Sequence, residues 1–131
     1  MHYNLPAATF MRTYRVLYTS GDAQSSTVLF DPQGGSRVVL TSLRITLEVS
    51  AGIDIKVGFG TITVAGATGS SSSVAFDGPG VTSGTIVIGN GQGIIGYGAK
   101  DEDLTFSSEA LPSAGSLTIT VTGYQEDASS E

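Results

Sequence analysis

The sequence predicts an all-β protein, an antiparallel β-sandwich of jelly-roll or Greek-key type with about eight short strands. Two observations carry that expectation. Between Arg37 and Gly60, in RVVLTSLRITLEVSAGIDIKVGFG, apolar and polar residues alternate at period two, as in a strand with one buried and one wet face. The stretch is rich in Val, Ile and Thr and lacks the spacing of an amphipathic helix. Across the whole chain, eighteen glycines and many serines and threonines leave short apolar runs bounded by turn residues.

Taken in order, residues 1–12 read as an N-terminal extended arm, 13–124 as the sandwich domain and 125–131 as an acidic tail. The arm has no strand pattern, and Pro6 biases Leu5 toward extended backbone. Its anchors are Tyr3, Leu5, Phe10 and Met11, which pack either on their own domain or on a neighbouring subunit; assembly is the expectation. Thr13 to Thr19 and Ser26 to Phe30 are strands, the second stopped by Asp31-Pro32. Val39 to Val49 and Ile53 to Phe59 read as a hairpin reversed at Ser50-Ala51-Gly52, with Val39, Thr41, Leu43, Ile45, Leu47 and Val49 on one face. Thr61 to Val64 continues as strand past a glycine kink. Ala65 to Gly84 reads as a long surface loop because of its serine run and its Asp77-Gly78-Pro79-Gly80 turn signals. Short strands follow at Thr85 to Ile88, Ile94 to Tyr97 and Leu104 to Phe106. Leu117 to Tyr124 closes the domain with Leu117, Ile119 and Val121 inward, and the acidic tail frays. The expected core comprises Leu43, Ile45, Leu47, Ile55, Val57, Ile119 and Val121.

The chain has 131 residues, which suits one domain with a real core, and a net charge of −6. Six dispersed basic residues make no surface for a phosphate backbone, so nucleic-acid binding is rejected. No cysteine is present, which removes disulfides and thiolate metal sites. No apolar run approaches the ~20 residues of a membrane span. The N-terminus lacks the pattern of a signal peptide, which favours assembly in the cytoplasm.

No catalytic, cofactor or metal residue is assigned. The one histidine, His2, sits beside the first residue, and no second histidine completes a triad. Asp101-Glu102-Asp103 lacks the spaced oxygen ligands of a calcium loop and reads as a solvated turn. Gly89-Asn90-Gly91-Gln92-Gly93 joins strands and precedes no helix, unlike a phosphate loop. Tryptophan, the usual stacking surface of a sugar site, is absent, although Tyr3, Tyr14, Tyr18, Tyr97 and Tyr124 are available to stack.

The segments VVLTSLRI, Val38 to Ile45, and LTITVTGYQE, Leu117 to Glu126, resemble small β-sandwich virion proteins of tailed bacteriophages, over about a third of the chain. The resemblance implies a non-enzymatic capsid decoration (cement) or head-fibre protein. On it rest a major capsid protein as partner, a homo-oligomer with a trimer favoured, and a place on the capsid exterior after assembly in the host cytoplasm. The alternative is a receptor- or glycan-binding module of a tail or fibre.

Overall fold

In the computed structural model, residues 9–17, 23–63, 66–67, 74–90, 93–112 and 115–128 are described. Every element among them is a strand. Their order is β1 (Thr9–Leu17), β2 (Gln24–Phe30), β3 (Ser36–Glu48), β4 (Ile53–Phe59), β5 (Ile62–Thr63), β6 (Gly66–Ala67), β7 (Val74–Val81), β8 (Gly84–Ile88), β9 (Gly96–Tyr97), β10 (Leu104–Ser108) and β11 (Ser116–Asp127).

Sheet A runs β1-β11-β3-β8, with β9 also on β3, and sheet B runs β2-β10-β4-β7. All of these pairings are antiparallel. They nest: β4 pairs β7, β3 pairs β8, β2 faces β10 and β1 faces β11. That is a long antiparallel hairpin rolled into two sheets, the jelly roll, so the expected fold class holds.

The core lies between the sheets. Leu43, Ile45, Leu47, Leu117, Ile119 and Val121 come from sheet A; Ile55, Val57, Leu104 and Phe106 come from sheet B. Every residue of the expected core is at most 1% exposed. On the open side between β1 and β2, Phe10 stacks on Phe30 with centroids 4.0 Å apart, and Arg12 lies over the Phe30 ring.

Several expectations need correction. β3 and β4 are not a hairpin, because they lie in different sheets. Ser50-Ala51-Gly52 carries the chain across the sandwich, so two apolar faces meet through the interior instead of lying side by side. Alternation at period two looks the same in both arrangements. The face assignment at the start of β3 also shifts. Val38 and Leu40 join the cluster between the sheets, whereas Val39 and Thr41, though buried, stay outside it. A bulge causes this: Thr122 pairs with Ser42, but Gly123 pairs with Leu40, leaving Thr41 extra. Thr41 Oγ1 donates to the Thr122 carbonyl at 3.1 Å.

β1 starts at Thr9 and pairs in unbroken register from Thr9–Tyr124 to Leu17–Ser116. Residues 9–12 are therefore strand. β11 continues through Asp127, Gln125 is buried with its Oε1 accepting from the Gln33 amide at 2.7 Å, and the Ala128 amide donates to the Gly35 carbonyl. The turn signals at Asp77 to Gly80 lie inside β7, an edge strand that tolerates proline at an irregular register.

Candidate interaction surface

The two outer faces of the sandwich differ because of what covers them. Sheet B presents Ser26, Lys56, Thr105 and Ser107. Three of their hydroxyls hold the backbone that follows β4. Thr105 Oγ1 donates to the Gly60 carbonyl at 2.7 Å, Ser107 Oγ donates to the Ile62 carbonyl at 2.7 Å, and Ser26 Oγ bonds both the Ile62 carbonyl and its amide. Ile62 is fully buried under this arrangement. Lys56 is only 5% exposed, with its Nζ 3.8 Å from the exposed Asp77 carboxylate.

Sheet A presents an open face. Register places Arg15, Thr118, Thr46 and Thr85 in one row and Thr13, Thr120, Arg44 and Val87 in the next. Thr13 and Thr120 hydroxyls lie 3.0 Å apart, and Thr46 and Thr85 hydroxyls 3.4 Å apart. Such cross-strand pairs stabilise the pairing of neighbouring strands. Met11 is 68% exposed and Val87 63% exposed on opposite edges of this face.

The expected arm residues separate. Phe10 is buried in the core of its own chain and is removed from the list of partner contacts. The reason is its inward register position opposite Gly123 on β11, from which its ring stacks on Phe30. Met11, one residue on, points outward. Tyr3 and Leu5 lie outside the described residues.

Carboxylates gather at one end of the sandwich, where β2 and β11 finish and β3 and β10 begin: Asp31, Asp101, Glu102, Asp103, Glu126 and Asp127. The turn is ordered by its own side chains. Asp101 Oδ1 accepts from the Gly35 amide at 2.6 Å, and Glu102 Oε1 accepts from the Ala99 amide at 3.0 Å. Arg37 pairs with Glu126 and lies over the Tyr97 ring. Burial holds the Asp103 carboxyl above the usual aspartate range, helped by its hydrogen bond to Asp31 and by that neighbour's charge.

At the opposite end a shallow cavity of about 400 Å³ is lined by Gln24, Ser25, Ser107, Ser108 and Glu109, among others. No histidine or cysteine lines it. The Glu109 carboxylate is already engaged, with Oε1 accepting from the Asp54 amide at 2.7 Å. Among the described residues no group of three His, Cys, Asp or Glu side chains is placed to hold a metal ion. The exposed tyrosines do not converge: Tyr14 packs against Phe106 from β1, and Tyr97 sits under Arg37 on β9.

No family model matches the sequence, and no curated protein matches it. Among solved structures, a chain of the acid-stable capsid structure of Helicobacter pylori bacteriophage KHP30 matches 92% of this chain and 94% of its own length. The TM-score is 0.50 at 10% sequence identity. The likeness is one of fold, and it spans both chains nearly end to end. Two looser matches are the IMPa metallopeptidase of Pseudomonas aeruginosa (TM-score 0.35, 14% identity) and infectious bursal disease virus Gx strain (TM-score 0.37, 18% identity). They cover 91% and 93% of this chain but 13% and 37% of the matched chains.

The open face of sheet A was missed in the sequence. Its Thr-x-Thr-x-Thr pattern on β11 was legible as an outward face, but which strands lie beside β11 was not.

Proposed function

We propose that this chain is a non-enzymatic structural protein of a phage virion: a capsid decoration, or cement, protein that binds the outer capsid surface as an oligomer, with a trimer favoured. The observation that carries this reading is the end-to-end fold likeness to a chain of similar length in a phage capsid structure. The physical features agree with it. The outer face of sheet A is exposed at Thr13, Arg15, Arg44, Thr46 and Val87 and carries paired threonine hydroxyls across its strands. The partner is the major capsid protein, reached on the virion exterior after assembly in the host cytoplasm. The net charge of −6 argues against a nucleic-acid partner. Tyr3 and Leu5 remain proposed as contacts to a neighbouring subunit, with Met11 at the edge of the same surface.

A cement protein acts by bridging. Each copy contributes a modest interface, and an oligomer with several attachment points gains by effective concentration. Co-sedimentation tests this reading. Purified chain at about 10 μM, well above the Kd of a specific interface, should bind undecorated capsids saturably. No binding to capsids, together with retention on an immobilised glycan array, would favour the tail or fibre alternative.

A further inference from the structure

We propose that the outer face of sheet A is a self-association surface whose occupant is the acidic end of a second copy of this chain. The contact is head-to-face and repeats from copy to copy. This goes beyond the proposed function by naming the surfaces, and it rests on that reading only in taking the chain to be an assembly protein.

The distribution of charge carries the argument. The chain has twice as many acidic as basic residues, yet the open face holds Arg44 on the inner strand β3 and Arg15 on the edge strand β1. Its acids lie toward the two ends of the sheet, Glu48 beside Ser116 and Glu126 already paired with Arg37. By register, Arg15 and Arg44 lie two strands and two residues apart, ~12 Å across the sheet. Both are exposed and neither has an ion-pair partner among the described residues. The acidic end is its complement. Asp31, Asp101, Glu102, Asp103 and Asp127 crowd there, with Lys100 and the Glu126-bound Arg37 as the local cations. Burial, and after it the hydrogen bond and charge of the neighbouring Asp31, raise the affinity of Asp103 for its proton. A partner's guanidinium would offset the charge of that carboxylate pair.

The same distribution selects the geometry. Two copies meeting face to face would oppose arginines to arginines, and two acidic ends would repel as well. Only a heterologous contact, end to face, pairs opposite charges, and a heterologous contact that closes makes a ring such as a trimer. Sheet B cannot serve instead, since the Gly60 to Ile62 backbone lies over its outer face. Met11 on β1 and Val87 beside Arg44 add exposed apolar surface next to the two arginines.

The test is sedimentation equilibrium of the full chain at about 50 mM and about 500 mM salt. The expected result is an oligomer that weakens as salt rises. Arg15→Glu/Arg44→Glu should raise the dissociation constant by about tenfold or more, with an unchanged circular dichroism spectrum, because both side chains are on the surface. Asp31→Lys/Asp127→Lys should weaken association in the same way. Mixing the two variants should restore it, since each keeps the half that the other has reversed. A chain that stays monomeric at about 100 μM at low salt, or a folded arginine variant that associates like the parent, would overturn the proposal. So would a mixture that fails to re-associate. Capsids are absent from this experiment. A chain that self-associates in this way but never binds capsids leaves the inference standing and sinks the decoration reading. A chain that decorates capsids as a monomer does the reverse.

Discussion

Gly123 sets the place where β3 changes face. A Cβ at this position would lie 2.1 Å from the Val39 carbonyl oxygen, and the obstructing atoms are backbone. On the other flank of β3, Gly89 has φ +77°, and a Cβ there would meet the Thr41 carbonyl at 2.4 Å. One bulged residue thus needs a glycine on each side. Gly123→Ala is expected to cost about 3 kcal/mol, toward the upper end of overpacking effects, in a urea titration. A cost below about 0.5 kcal/mol, the range of ordinary surface changes, would contradict this account of the bulge. Asp103 supports a pH prediction. Its folded-state carboxyl holds a proton more tightly than an unfolded one, so the folded chain binds the extra proton. Its contribution to stability is therefore present below the ordinary aspartate range and is lost as pH rises through the raised value. Asp103→Asn should flatten the acid side of the stability profile. At neutral pH it should leave the melting temperature equal or higher, by no more than about 1 kcal/mol given the partial exposure. A lower melting temperature with an unchanged acid slope would count against it. Neither feature was legible in the sequence, because a bulge glycine and a turn glycine are the same letter, and Asp31 meets Asp103 only after the sheets form.

At the scale of elements, the long alternating strands were legible, whereas β7, hidden by its turn residues, and the start of β1 were not, and neither was strand partnership. The alternation of Leu43, Ile45 and Leu47, and of Leu117, Ile119 and Val121, placed β3 and β11 and their inward faces correctly. It gave no sign that β4 crosses to the other sheet, because a buried face is written the same way whichever neighbour covers it. Leu43→Ala should cost about 2–5 kcal/mol, whereas Thr120→Ala should cost under about 1 kcal/mol, since only an exposed hydroxyl pair is lost. Equal melting of the two variants would undo the face assignment. The covering of sheet B makes a separate prediction. Lys56 is nearly buried, and among the described residues its ion-pair partner is the exposed Asp77 carboxylate at 3.8 Å. Lys56→Met should be neutral or stabilising by up to about 1 kcal/mol in thermal denaturation. A loss above about 2 kcal/mol would mean that the ammonium has a partner worth more than its desolvation.

For the whole molecule, composition narrowed the function by exclusion, and topology supplied the positive content. The absence of cysteine removes disulfides and thiolate metal sites, and a single histidine leaves no second one for a triad. The nested pairing from β4–β7 out to β1–β11 then made the sandwich a jelly roll. That architecture leaves one partly covered outer face, one open Thr/Arg face and one acidic end, the surfaces on which the proposed assembly rests. The central claim is that this unit decorates a capsid, and copy number on purified virions tests it most directly. Quantitative mass spectrometry of gradient-purified particles should find this chain in a fixed, high stoichiometric ratio to the shell protein, as repeated attachment across the head requires. Absence from intact particles, or only a few copies per particle as a tail component would show, would contradict the claim.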